Sequence, residues 1–520
     1  MRGGILLATI NAKWIHPSLA LRLLKANLGP LEQLCEIAEF ALRQPLSEKT
    51  GAILAAKPRI LGLSVSIWNH AATLELLKEL GKTGETGEDR PVVILGGPEV
   101  SHLTPEAEIF RHADYCVRGE GETAFRRLCE AVLPDGTGNI GGWDSGISRR
   151  EGEKVFSEKG KNFSGIRFID ADNEKTGTDG IQSGYRLYSG EDLQKKLVYV
   201  EASRGCPYFC EFCLSGRGGD KTPAVREFPL EPFFDEMESL FRRGARAFKF
   251  LDRSFNADTE RARLIMEFFL EKIIERTAAP AGGGRAAPGN VKPPPAVHFE
   301  MVPLRFPPEL VETAARFPAG TLRLEIGIQT LDPAVSARIG RPSSPEKELA
   351  ALRLLREKTA AIIHADLIAG LPGEGLTSFG RGFDLLYAAL RPPLEDGLSD
   401  NRGGREKPGA EIQPGILKLL PGAKIARHAT AFGMRFNPSP PYELLESAAL
   451  PGQDLDRVKN FARFWELLAN RGLLDPGPAP VFERFMALSD SLLARFGRNW
   501  GIAKNELLEA VDDILKLETE

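Results

Sequence analysis

The chain has 520 residues, a length that suits three or four domains. Apolar residues make up 42% and charged residues 27%, near the average of soluble globular proteins, which sets aside wholesale disorder, collagen-like repeats and coiled coil. With 67 Lys and Arg against 71 Asp and Glu the net charge is -4, so no general pull toward nucleic acid or anionic lipid is expected.

Residues 1–133 alternate short apolar strands, predicted at 4–10, 60–66, 92–97 and 115–118, with amphipathic helices. Continuous apolar strands between helices read as a doubly wound, Rossmann-like parallel sheet, whose ligands sit at the carboxyl ends of the strands. The apolar start of the chain is broken at Asn11 and Lys13, too soon for a secretory leader. Nothing approaches the ~20 apolar residues of a membrane span, so a cytoplasmic protein is expected.

Residues 134–195 are rich in Gly, Ser, Asp, Glu and Lys and read as a linker. From Leu197, strands predicted at 197–202, 246–251, 296–301, 322–328, 362–368 and 412–419 alternate with helices, an α/β pattern that suggests a partial (β/α)6 TIM-type barrel over 196–436. Two Gly- and Pro-rich or mixed-charge stretches, 278–295 and 392–409, look like surface insertions. Residues 437–520 read as a small α-helical domain, with helices predicted at 442–448, 455–471, 481–496 and 503–517.

Three of the six cysteines fall within eight residues, in Cys206-Pro207-Tyr208-Phe209-Cys210-Glu211-Phe212-Cys213, just after the first barrel strand. Three thiolates at this spacing can each hold one iron of a four-iron cluster and leave the fourth iron without a protein ligand. A structural zinc site needs four closed ligands. No nearby His supplies the fourth, and Cys35, Cys116 and Cys129 lie in the N-terminal region.

The spacing, with aromatic Phe212 before the last cysteine, resembles the radical S-adenosylmethionine (SAM) superfamily. The resemblance implies that Cys206, Cys210 and Cys213 hold a [4Fe-4S] cluster, that SAM chelates its open iron, and that reductive cleavage gives methionine and a 5′-deoxyadenosyl radical. It also implies that barrel strand ends hold SAM. Candidates are Asp252 and Asn256 after strand two, Glu300 on strand three, and Glu325, Gly327 and Gln329 on strand four. Ile368 and Gly370, in Asp366-Leu367-Ile368-Ala369-Gly370-Leu371-Pro372-Gly373-Glu374, resemble the adenine-contacting segment. The superfamily's Gly-Gly-Glu after strand two is replaced by Phe250-Leu251-Asp252-Arg253-Ser254-Phe255.

A doubly wound domain ahead of such a barrel resembles the cobalamin-binding domain of the B12-dependent radical SAM class. The matching residues are Ser64-Val65-Ser66, Gly96-Gly97-Pro98-Glu99 and Gly119-Glu120-Gly121-Glu122 at consecutive strand ends, where small residues let a bulky nucleotide tail approach the backbone. Trp68 and Asn69 are candidates for the corrin face. The familiar Asp-x-His-x-x-Gly cobalt-ligand motif is absent after strand one, where Asn11 to Ser18 stands, so no protein imidazole is expected below the cobalt and His16 is expected to be hydrogen-bonded or capping. The segments Leu417 to Gly422 and Pro440 to Glu443 look like an uncharacterised C-terminal domain family that accompanies this architecture.

The resemblance implies a cobalamin-dependent radical SAM methyltransferase acting on an unactivated carbon through a 5′-deoxyadenosyl radical and methylcobalamin. Its expected setting is anaerobic, with a small-molecule or peptide substrate and a flavodoxin- or ferredoxin-type reducing partner. A cyclase or rearrangement enzyme using both cofactors, and a non-catalytic cobalamin and Fe-S sensor, stand as alternatives. A tRNA methylthiotransferase fits less well, because Asn11 to Ser18 carries none of the cysteines needed for a second cluster.

Overall fold

The computed structural model describes residues 4–82, 90–133, 166–171, 178–215, 225–278, 293–391 and 409–517. Most of both expected insertions, and of the expected linker, lie outside the described residues.

The N-terminal strands are β1 (Ile5–Asn11), β2 (Cys35–Ala41), β3 (Ile60–Ser64), β4 (Val92–Gly96), β5 (Tyr115–Arg118) and β6 (Arg167–Asp170). They form one sheet in the order β2–β1–β3–β4–β5–β6, with every neighbouring pair parallel. Alternation along β1 divides the core. Leu6, Ala8 and Ile10 pack with Ile53, Leu76 and Leu77 from helices Leu46–Ala56 and His70–Gly81. Ile5 and Leu7 pack with Leu21, Phe125 and Leu128 from helices Leu19–Ala26 and Glu122–Val132.

Sequence patterning misses β2 and β6, the two edge strands. In β2 the acidic Glu36 and Glu39 break the apolar run, and Glu39 is taken up by the buried Arg22 guanidinium at 2.9 Å. In β6 only Phe168 and Ile169 are apolar, and the strand falls within the segment expected to be a linker. An edge strand has one neighbour and tolerates such composition.

Further along are β7 (Val198–Val200), the short β8 (Ser203–Gly205) and β9 (Val225–Glu227) on either side of the cysteine loop in sequence, then β10 (Ala247–Phe250), β11 (Ala296–Met301), β12 (Leu322–Gln329), β13 (Ile362–Ala369) and β14 (Ala410–Ile416). The second six-stranded sheet has the order β14–β13–β12–β11–β10–β7, and β11 to β14 pair in parallel. Burial alternates with period two along β11 and β12. One face is apolar (Val297, Phe299, Leu324, Ile326) and fully buried. The other face is half-buried and polar, with His298, Glu300, Arg323, Glu325 and Gln329. An ordinary barrel interior is filled by layers of branched aliphatic side chains; this one carries charge.

The segment 442–448 is not the helix expected. It forms β16 (Leu444–Glu446), antiparallel to β15 (Arg435–Phe436). Its backbone instead pairs with the chain following β14, through Leu444 N to Leu417 O at 2.8 Å and Leu419 N to Tyr442 O at 2.9 Å. Helices Gly452–Leu468, Phe482–Phe496 and Lys504–Leu517 follow. They join the barrel core through Phe461 and Trp465, whose ring centroids lie 4.9 and 4.7 Å from that of Phe383. The chain divides into two compact units, residues 1–202 with 226–247 and residues 203–225 with 248–520. Among the described residues no helix is long and apolar enough to cross a membrane.

Candidate functional site

The six cysteines separate into two environments. Cys35, Cys116 and Cys129 are buried in the N-terminal core. Burial pushes the Cys35 and Cys116 thiols up to about 12, and Cys129 well above its ordinary value. Cys206, Cys210 and Cys213 are only half-buried and share one loop.

The loop's sulfurs are surrounded by donors and cations. Cys206 takes hydrogen bonds from the Tyr208 backbone and the Ser254 hydroxyl, and Cys213 Sγ accepts the Ser215 N–H at 3.3 Å. Burial raises the Cys206 and Cys210 thiols, while Arg253 beside Cys206 and Arg341 hydrogen-bonded to Cys210 pull them back toward thiolate. Metal coordination deprotonates a thiol outright, so the set is ready for a metal rather than for free thiolate chemistry. Among the described residues no three His, Cys, Asp or Glu side chains converge on a single metal position. Phe212 is half-buried on the same loop.

Arg253 and Arg341 have no motif around them, and sequence reasoning passed over both. Arg253 also reaches Glu300, at 3.3 and 3.4 Å to its two oxygens. Arg341 is fixed by the Gly327 carbonyl and by Ile328 O at 3.1 Å.

On the half-buried face of the barrel sheet, Glu325 lies 2.9 Å from Lys249 Nζ and 3.1 Å from His298 Nε2. Burial works against its ionised form, but the His298 contact and the Lys249 ammonium prevail and hold the carboxyl at about 2. Glu300 is displaced the other way: burial raises it despite Arg253. Asp366, one strand over, is raised to about 8 by burial and by the neighbouring Glu325 and Glu300. Gln329 adopts φ 69° at a break in the β12–β13 register, and a Cβ on Gly327 would fall 2.3 Å from its Nε2. Non-glycine residues held at positive φ concentrate at ligand sites.

The remaining barrel candidates have the following surroundings. Asp252 is 3% exposed and accepts the Ser203 hydroxyl at 2.6 Å. Asn256 is fully buried, donating to Val302 O and Arg305 O and accepting from Val302 N. Ile368 is half-buried. At Gly370, φ 88°, the Cβ direction is filled by Leu444 rather than left open.

In the N-terminal unit the strand order reverses direction between β1 and β3, the crevice where doubly wound sheets bind ligands. Asn69, expected on the corrin face, is fully buried. Its amide accepts Ser66 N–H at 2.8 Å and donates to Ile10 O at 3.0 Å and Ser64 O at 3.2 Å, tying the ends of β1 and β3 together. That tie leaves Trp68, beside it, 54% exposed. Gly97 has φ 108°, and a Cβ there would strike Val65 O at 2.5 Å, so the turn after β4 requires glycine. Glu99 is buried against His70 Nδ1 at 2.8 Å. Pro98 and Gly119 are exposed and Ser64, Gly96 and Gly121 half-buried, whereas Ser66 and Glu122 are buried. Glu120 pairs with Arg226. His16 Nδ1 meets the Tyr199 hydroxyl at 2.8 Å, in line with the hydrogen-bonded role expected of it.

Comparison with known proteins adds the following. The Radical SAM superfamily profile matches residues 200–386 and the B12 binding domain profile residues 6–129. Over 187 residues the chain is 32% identical to 2-(S-pantetheinyl)-carbapenam-3-carboxylate methyltransferase of Streptantibioticus cattleyicolor, covering 35% of this chain and 25% of that protein. The chain spans between a quarter and about half the length of the curated relatives it matches. Among solved structures, the cobalamin-dependent SAM radical enzyme OxsB with aqua-cobalamin and SAM bound has a TM-score of 0.60 at 16% identity, covering 100% of this chain and 75% of that one. The radical SAM methyltransferase TsrM of Kitasatospora setae, with cobalamin and a [4Fe-4S] cluster bound, has a TM-score of 0.57 at 16% identity, covering 99% and 100%. The chain thus carries a B12 binding domain followed by a radical SAM domain, in a fold shared with these enzymes, and this domain pair implies a [4Fe-4S] cluster, SAM and cobalamin as cofactors.

Proposed function

We propose that the protein is a methyltransferase acting on an unactivated carbon of a small-molecule or peptide substrate. The observation that carries this reading is the partition of the cysteines: one half-buried trio with Arg253 and Arg341 beside it, in a chain that also matches a B12 binding domain, whose sheet has its switch point between β1 and β3. When bound, the cluster and SAM supply a 5′-deoxyadenosyl radical and cobalamin carries the methyl group.

The chain's own residues bind, orient and shield. Cys206, Cys210 and Cys213 hold the cluster, and Arg253 and Arg341 offset its negative charge. Glu300, Glu325 and Gln329, on the polar face of the barrel sheet, hold the polar groups of SAM, and Ile368 gives its base an apolar contact. Phe212 shields the cysteine loop from water. In the N-terminal unit Trp68, Gly96, Gly97, Pro98, Gly119 and Gly121 line the cobalamin crevice, and Asn69 and Glu99 brace it from beneath. The division at 1–133, 134–195, 196–436 and 437–520, a reducing cytoplasm, and a flavodoxin- or ferredoxin-type donor belong to the same reading. Methyltransferase names among the relatives, and the TsrM structure with tryptophan substrate, support it.

The test is anaerobic reconstitution followed by mass spectrometry on candidate substrates. Formation of 5′-deoxyadenosine with a product gain of about one methylene unit is expected. Radical formation with no mass gain would turn the reading to ring closure or rearrangement. Cys206→Ala, Cys210→Ala and Cys213→Ala should each lose iron and SAM cleavage, whereas Cys35→Ala should keep both. Iron content unchanged in Cys210→Ala would refute the ligand assignment.

A further inference from the structure

Within the cysteine loop, Glu211 stands apart from its neighbours. Phe209, two residues earlier, is 52% exposed, yet Glu211 is 6% exposed although it carries a charge. A carboxylate is buried at that depth only when it is paired and hydrogen-bonded, and here every polar atom of the residue is engaged. Its N–H donates to Ile339 O at 3.0 Å and its carbonyl accepts Ile425 N–H at 2.9 Å. One carboxylate oxygen pairs with Arg427, and the other lies 2.8 Å from His428 Nε2.

Both side-chain partners come from the short helical turn Lys424–His428, which follows β14. That turn is itself anchored. Ile425 is fully buried, Ala423 N bonds to Leu420 O at 2.9 Å, and the His428 ring meets Phe432, which in turn carries Arg338 over its face at 4.9 Å. Ile339 caps the C-terminal end of the short helix Pro333–Arg338, two residues before Arg341. Glu211 therefore joins the cysteine loop to two other segments at once, and its partners all lie in the same compact unit. A loop needing only one backbone bond to each neighbour would not require a buried carboxylate with two side-chain partners.

We propose that Glu211, held by Arg427 and His428, is a positioning residue for the iron-sulfur cluster and sets its electrostatic environment, so that the segment 424–428 governs how readily the cluster is reduced. This rests on the reading that Cys206, Cys210 and Cys213 hold the cluster. Cluster potentials respond to nearby net charge. The Glu211 carboxylate opposes arrival of an electron, and the Arg427 guanidinium favours it.

The experiment is an EPR-monitored redox titration of the [4Fe-4S]2+/1+ couple in the full reconstituted chain, with iron counted beside it. Glu211→Gln should shift the midpoint potential upward, Arg427→Gln should shift it downward, and the double variant should return toward wild type. A role confined to holding the fold would give no such opposition of sign, so unchanged midpoints, or shifts in one direction for both, would overturn the proposal. Arg427 is 64% exposed at its side chain, so Arg427→Gln tests the sign even where Glu211→Gln fails to fold. The underlying reading fails separately: wild type would then bind no iron, or the cysteine variants would keep it.

Discussion

Gly96, the last residue of β4, and Gly97, which follows it in the turn, are adjacent and yet should respond oppositely to the same added methyl group. At Gly97 the backbone sits at φ 108°, and a Cβ would come within 2.5 Å of Val65 O and 3.0 Å of Val65 N. The strained backbone costs ~1–3 kcal/mol. The clash is with main-chain atoms pinned by Val65 N to Gly96 O at 2.8 Å, and adds an overpacking cost of ~1–3 kcal/mol. Gly97→Ala should therefore destabilise the N-terminal unit by about 2–6 kcal/mol. At Gly96 the nearest atom to a Cβ is Val117 O at 3.7 Å, an ordinary contact, so Gly96→Ala should lie within ~1 kcal/mol of wild type. The chain has two units, so unfolding is read as successive transitions rather than one. With an m-value of ~1–3 kcal/mol per molar urea, the first-unit transition of Gly97→Ala should move down by about 1 M or more, and cobalamin binding should weaken with it. Equal behaviour of the two variants, by circular dichroism and cobalamin titration, would refute the argument from turn geometry.

Trp68 is 54% exposed, so Trp68→Leu should leave urea unfolding within ~0.5 kcal/mol of wild type while weakening cobalamin binding about threefold to tenfold through loss of ring contact; unchanged affinity by absorbance titration would remove Trp68 from the crevice. Glu374 is 3% exposed and accepts the Thr330 hydroxyl at 2.6 Å, and burial lifts it to about 7 from an ordinary 4.5. The folded state thus holds its proton more tightly than the unfolded chain. The stabilisation is complete below pH 4.5 and is lost as pH rises toward 7, a change of about 3 kcal/mol. Glu374→Gln should flatten the stability profile across that window, and parallel profiles for variant and wild type would contradict the assignment.

The parts of the site legible in sequence are those encoded by spacing. Cysteines at 206, 210 and 213 need one another within a single loop, so the chain order records them, and the apolar runs of β1, β3 and β4 record a parallel sheet in the same way. Arg253 and Arg341 left no such trace. Arg253 reaches the cysteine loop from the end of β10 and Arg341 from the stretch after the helix Pro333–Arg338, and an isolated arginine has the same sequence signature whether it faces a sulfur or water. Asn69 and Glu99 show the converse. A polar side chain at a strand end reads as a ligand contact, but buried backbone groups also need partners, and here Asn69 answers Ser66, Ile10 and Ser64. Segment 442–448 shows periodicity overruled by pairing, because Leu444 and Tyr442 bond to the chain after β14.

The division of the thiols has a practical consequence for handling the protein. Sulfurs sealed in the N-terminal core react slowly with alkylating agents and oxidants, because the reactive thiolate is suppressed and access is closed. Adventitious oxidation should therefore strike the loop first and leave the N-terminal scaffold chemically intact. Air-damaged material would keep its shape while losing the ability to accept iron, and a short treatment with a thiol reductant could bring it back.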